Sequence, residues 1–147
     1  MHFNDTIDLS NYEIQSRIDH GNFGEVIKVE EKATGEIYAA KIAFKPLDLS
    51  DQNTIRNIRR ELDILSRIKH PSIVRFIGFS PTNFYDDDKP VIVTEYASNG
   101  SLDEVLKLER IGCGKHEWND TKKLINIYGI ASGMSYLHKK NILHRDL

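Results

Sequence analysis

Tyr12-Glu13-Ile14-Gln15-Ser16-Arg17-Ile18-Asp19-His20-Gly21-Asn22-Phe23-Gly24-Glu25-Val26-Ile27-Lys28-Val29 is the stretch from which the fold can be read. Tyr12, Ile14, Ser16 and Ile18 alternate with Glu13, Gln15 and Arg17, the period of a half-buried strand. Asp19 to Gly24 carries turn chemistry, and Val26-Ile27-Lys28-Val29 resumes a β-branched run. Strand, glycines, strand is a hairpin. The order excludes a dinucleotide-binding fingerprint, in which the glycines must open a helix.

Working outward, Thr34-Gly35 separates this hairpin from Ile37-Tyr38-Ala39-Ala40-Lys41-Ile42-Ala43-Phe44, which predicts a three-stranded antiparallel meander. Ser50 is the expected N-cap of a helix in which Ile55, Ile58, Leu62, Leu65 and Ile68 recur at helical spacing, with Pro71 as its stop. Ile73 to Ile77 and Val91 to Thr94 read as two more strands around a polar loop, Ser80 to Lys89, that holds Asp86-Asp87-Asp88. After Ser98-Asn99-Gly100 the strand signals cease. Leu102, Val105, Leu106 and Leu108 predict a short helix broken at Ile111-Gly112-Cys113-Gly114. Asn119 or Asp120 can then cap a long helix carrying Leu124, Ile127, Ala131, Met134 and Leu137, up to Asn141. The class expected is α+β.

Composition sets limits on function. The 147 residues are 39% hydrophobic and 29% charged, an ordinary globular balance. A net charge of −2, with basic and acidic residues interspersed, gives no field for nucleic acid. Cys113 is alone, which rules out an internal disulfide, and Met1 to Asp5 lacks the features of a secretory signal, so a reducing cytosol or nucleus is expected, with a cytoplasmic setting taken first. No apolar run approaches the ~20 residues that span a bilayer, and no membrane partner is expected.

The candidate chemistry begins with charges on apolar faces. Glu61 lies three residues after Ile58 and four before Leu65, which points its carboxylate from the core-facing stripe toward a required cation. Lys41 shares a sheet face with Ile37, Ala39 and Ala43, where small residues leave a hollow. A Lys in a hollow, braced by a Glu, can hold phosphate oxygens. The bland reading is a Lys that snorkels to the rim and a Glu in water. Gly21-x-x-Gly24 could let backbone amides approach phosphates, although such turns are most often structural. His144-Arg145-Asp146 is equally ambiguous in isolation, since Arg-Asp pairs are commonly plain ion pairs.

Taken together and in order, these segments resemble the first half of a eukaryotic protein-kinase domain, from about Tyr12 to Leu147. Ile18 to Val26 is similar to the family's Gly-rich loop, Tyr38-Ala39-Ala40-Lys41 to its V-A-x-K, and His70-Pro71-Ser72-Ile73-Val74 to its H-P-N-I-V junction. Val93-Thr94-Glu95-Tyr96-Ala97 resembles the hinge, Ser98-Asn99-Gly100-Ser101-Leu102 the G-G-S-L that follows, and Met134 to His138 the end of the long helix. His144-Arg145-Asp146-Leu147 resembles the opening of the catalytic loop. The resemblance implies a five-stranded antiparallel small lobe with one long helix, followed by the first helices of a helical large lobe. It divides the chain into a lead-in, 1–10, a small lobe, 11–95, a hinge, 96–100, and the start of the large lobe, 101–147.

The resemblance also implies roles. Asp146 would be the catalytic base, and Lys41, paired with Glu61, would bind the phosphates of ATP. Amides of Gly21, Asn22, Phe23 and Gly24 would cover those phosphates. Ile18, Val26 and Ala39 would sandwich the adenine, Thr94 would be the gatekeeper, Glu95 and Ala97 would bond the adenine edge, and Ser101 would lie near the ribose. Asp19 replaces the loop's first glycine, and its carboxylate would repel triphosphate. The Mg²⁺ ligands of the family, an Asn after the catalytic Asp and the Asp of D-F-G, would fall after Leu147, so no metal ligand is assigned in this sequence. The expectation is an N-terminal fragment of an ATP-dependent kinase acting on protein Ser/Thr hydroxyls, on the pattern of the tyrosine-kinase-like branch, and inactive by itself. The competing expectation is a catalytically inactive, pseudokinase-like docking or regulatory module. Protein substrates follow from the resemblance; regulatory partners do not.

Overall fold

The computed structural model describes residues 5–20, 24–48, 50–114 and 117–144. They form two compact units, one of residues 1–69 and 74–96, the other of residues 70–73 and 97–147. The first unit contains a five-stranded sheet of β1 (Tyr12–His20), β2 (Gly24–Glu31), β3 (Ile37–Ala43), β4 (Phe76–Ser80) and β5 (Val91–Glu95), with the helix α1 (Gln52–Arg67) inserted after β3. The strand order is β1-β2-β3-β5-β4 and every pairing is antiparallel. This is the α+β architecture expected. The hairpin of β1 and β2 and the meander through β3 are formed as expected, and the period-2 pattern is kept in β3 and the middle of β2.

Alternation gives the sheet two unlike faces. One is closed: Ile27, Val29, Tyr38, Ala40, Ile42, Val91 and Val93 pack with Tyr12 and with Leu9 of the lead-in, and Val29, Ala40, Val91 and Val93 have no exposed surface. The lead-in is stitched on by the Ile7 N–H, which donates to the Phe79 carbonyl at 2.9 Å. The other face is covered in part, where Leu62 and Ile58 of α1 sit on Phe79, Phe76 and Ile92. β1 departs from the half-buried expectation. Beyond Tyr12 all of it is exposed, because it is the sheet edge and two register shifts, at Ile14/Ser16 and Arg17/Asp19, interrupt its alternation.

Two boundaries differ from the sequence reading. The cap of α1 is Asp51, whose carboxylate accepts from the Asn53 and Thr54 N–H groups at 3.1 and 3.0 Å, while Ser50 bonds Asp48 instead. The fourth strand starts at Phe76, not Ile73. Ile73 belongs to the second unit, where its Cγ1 would lie 3.4 Å from a Cβ built on Gly133. Its apolar character serves that contact and not a strand.

The second unit holds α2 (Leu102–Arg110) and α3 (Asp120–Lys139). Ser101 caps α2 in a reciprocal box with Glu104, and Asn119 caps α3 by accepting from the Lys122 N–H at 3.0 Å. Glu109 ties the two helices, accepting from Lys123 Nζ at 2.5 Å and from Trp118 Nε1 at 3.0 Å. Of α3 only Gly133 and Leu137 are buried, and Leu124, Ile125, Ile127 and Tyr128 are exposed. Among the described residues no helix is long and apolar enough to cross a membrane.

Candidate active site

The partly covered face of the sheet gathers the residues singled out above. Val26 stands opposite Lys41 across β2 and β3, Lys28 opposite Ala39, Ala39 opposite Thr94 and Lys41 opposite Ile92. Opposed residues of an antiparallel ladder share a face, so Val26, Ala39, Lys41 and Thr94 lie on one side. Val26, Ala39 and Thr94 are half-buried, and Lys41 is exposed. Small apolar groups beside a cation make a surface suited to a flat heterocycle carrying an anionic tail.

Lys41 and Glu61 line one cavity of about 240 Å³, with Ile58, Leu62, Phe79 and Ile92 beneath them. They meet there without forming an ion pair. Glu61 is exposed, which corrects the expectation of a carboxylate forced into the core stripe. The stripe is narrower than supposed: Ile55 and Leu62 are the buried residues of α1, and Glu61 stands at its edge in contact with water. Hydration removes the need for a partner, and the Lys41 ammonium keeps its donors available.

The glycine turn is described only at its base. Gly24 is buried, and a Cβ there would run into the Ile42 carbonyl, so the neighbouring strand itself requires the missing side chain. Asp19 pairs with Val26, and its Oδ1 accepts from the His20 N–H at 2.7 Å. Ile18 falls in the register shift between Arg17 and Asp19 and is 44% exposed. The His20 ring tilts against Phe44 with centroids 4.9 Å apart, a contact that brackets the turn and that no sequence pattern announced. Gly21, Asn22, Phe23 and Asp146 lie outside the described residues.

At the end of β5 the Glu95 N–H donates to the Arg75 carbonyl at 2.9 Å, and the Glu95 carboxylate accepts from the Arg75 N–H at 3.0 Å. The Glu95 amide is therefore engaged within the sheet. Its carbonyl, which accepts from Thr94 Oγ1 at 3.3 Å, retains a lone pair for an incoming donor. Lys28 places its ammonium 5.3 Å from the centre of the Tyr96 ring, a second cation on this face. Sequence reasoning missed this pair, although Lys28 follows Val26 on the same face by simple alternation. Ala97 and Ser101 belong to the second unit, where Ser101 is engaged as the cap of α2.

The family comparison agrees with this arrangement: residues 12–147 match the protein kinase domain. The chain belongs to the protein kinase domain family. An Aurora kinase of Debaryomyces hansenii is 37% identical over 139 residues, covering 95% of this chain and 31% of that protein. An Aurora kinase of Saccharomyces cerevisiae is 31% identical, covering 97% of this chain and 36% of the relative. Serine/threonine-protein kinase Aurora-1 of Arabidopsis thaliana is 29% identical, covering 95% of this chain and 44% of the relative. The kinase-domain chain thus spans about a third of the length of the two yeast relatives and under half of the plant one. These relatives do not single out the tyrosine-kinase-like branch that the hinge sequence resembled.

Proposed function

We propose that this chain supplies the nucleotide-binding half of an ATP-dependent protein kinase that phosphorylates Ser/Thr hydroxyls. The observation that carries the reading is the face on which Lys41, without an ion pair among the described residues, adjoins the half-buried Val26 and Ala39 and shares a cavity with Glu61. Those residues fit ATP. Val26 and Ala39, with Ile18, take the adenine by apolar contact and the Glu95 carbonyl takes its edge past Thr94; for Ala97 and Ser101 the adenine-edge and ribose roles rest on the family resemblance alone. Lys41 holds phosphate oxygens, and Glu61 steadies the ammonium by closing the separation between them when nucleotide is bound. Amides of Gly21, Asn22, Phe23 and Gly24 cover the phosphates, while Asp19 lowers affinity by repulsion.

When bound, ATP with Mg²⁺ supplies the transferable phosphoryl group. Positioning and charge stabilisation do most of the catalytic work in such transfer. Asp146 orients the acceptor hydroxyl and takes its proton. The Ser/Thr preference rests on the printed name of the Arabidopsis relative and remains with that comparison. The 147 residues contain no D-F-G sequence, and we propose that this chain alone has no turnover.

The test is phosphoryl transfer by a chain extended through the Mg²⁺-binding segment of a kinase domain. The extended protein is expected to label Ser/Thr in a mixed peptide array, and Asp146→Asn is expected to lower the rate by about 10²-fold or more with nucleotide binding retained. Labelling confined to Tyr would reject the Ser/Thr assignment. An Asp146→Asn rate equal to the parent would reject Asp146 as the base.

A further inference from the structure

The closed face of the sheet, opposite Lys41, carries a groove of about 780 Å³ between the lead-in and the loop that joins β4 to β5. Both walls are held in place. On the lead-in, the Phe79 N–H donates to the Asp5 carbonyl at 3.0 Å and the Asp8 carboxylate accepts from the Ser10 N–H at 2.9 Å. In the loop, Asn83 is 6% exposed; its Oδ1 accepts from the Tyr85 and Asp87 N–H groups at 2.8 and 3.0 Å, and its Nδ2 donates to Asp87 at 3.0 Å. Asp86 is held at φ 61°, a conformation that non-glycine residues adopt uncommonly.

The groove is apolar at its floor and acidic at its rim. Ile7, Leu9, Tyr12 and Phe84 line the floor, Ile14 is 40% exposed beside it, and Tyr85 projects at 75% exposure. Among the described residues Asp8 and Asp86 line it with one cation, Lys32, whose ammonium donates to the Ser10 carbonyl at 2.7 Å; Glu13 also borders it but stands opposite Glu30 in the β1 and β2 register, which turns its carboxylate to the other face. Neither Asp8 nor Asp86 forms an ion pair among the described residues. We propose that this groove docks a partner protein segment in which Arg or Lys side chains alternate with aliphatic or aromatic ones. The floor takes the apolar side chains, the rim carboxylates take the cations, and the prebuilt walls limit the ordering cost of binding. Acidic segments and nucleic acid are repelled by the same rim. Because docking uses the opposite face, it leaves the nucleotide face free.

The test is fluorescence anisotropy of a labelled peptide alternating Arg and Leu, titrated with the 147-residue chain at low and physiological salt. Saturable binding is expected, with no binding of the Glu-Leu counterpart. In the Asp8→Asn/Asp86→Asn variant the Arg-Leu affinity is expected to fall about tenfold or more with nucleotide binding unchanged. Equal affinity for the two peptides, or an unchanged affinity in that variant, overturns the proposal. Tyr85→Ala provides a reading that does not depend on how the charge variant folds, since the ring is mostly in solvent. A several-fold weakening is expected from it, and parental affinity would overturn the proposal.

Discussion

The two faces of one sheet were built from the same alternating strands, yet one is sealed and the other is only half covered. On the sealed face Val29, Ala40, Val91 and Val93 have lost all solvent contact, and the lead-in completes the packing through Leu9 and Ile7. On the other, α1 covers the β4 and β5 side with Leu62 and Ile58, and the β2 and β3 side presents Val26, Ala39 and Lys41. The difference separates two duties. Stability resides on the sealed face and under the helix, where apolar area leaves water. The proposed chemistry is assigned to the place where side chains are small and, among the described residues, Lys41 makes no ion pair, because strand side chains already packed in a core leave no room for a nucleotide.

Substitutions should break this division in graded fashion. Phe79 is 2% exposed and, with Phe76 and Ile92, is a contact through which α1 sits on the sheet. Phe79→Ala is expected to cost about 3–5 kcal/mol, read from a denaturant midpoint, and to loosen the Lys41 and Glu61 cavity that it floors. A cost below about 1 kcal/mol would show that the helix is held by something else. Val93→Ala on the sealed face removes two methyl groups and should cost on the order of 2 kcal/mol while leaving nucleotide affinity unchanged. Loss of affinity in step with stability would contradict the independence of the faces.

The smallest effect sharpens the contrast through pH. Tyr38 on the sealed face donates its hydroxyl to Glu36 at 2.5 Å, and that bond, with burial added, pushes its pKa up to about 12 from 10.0. The folded state therefore keeps a proton that the unfolded chain releases. Stability from this group is complete below pH 10.0 and falls as the pH rises toward about 12. Tyr38→Phe should flatten that part of the stability profile, measured by denaturant melts across alkaline pH. An identical slope in the variant would assign the effect to other groups.

Much of the fold was legible because its periods are clean. The meander came from alternation in Tyr12 to Phe44, α1 from Ile55 and Leu62, and the start of α3 from Asn119. What was missed depended on partners distant in sequence. Ile73 imitates a strand residue but answers to Gly133, and Ser50 outranks Asp51 only until Asp48 claims its hydroxyl. Helical spacing assigned Glu61 to a face without revealing how wide that face was, so its exposure could not be foreseen. The Asn83 loop lock and the acidic groove have no periodic signature at all, since they arise where the lead-in meets a polar loop. The candidate site residues Val26, Ala39 and Lys41 were readable as neighbours because a strand register places them together automatically.

The claim on which the account rests is that the half-covered face binds nucleotide through Lys41. Isothermal titration of ATP into the chain and its Lys41→Met variant tests it most directly, with each protein's melting profile recorded without nucleotide. Binding by the parent is expected, with at least about tenfold weaker binding by the variant and a stability change within about 0.5 kcal/mol, because Lys41 is exposed and makes no ion pair among the described residues. Equal affinity in the two proteins would contradict it.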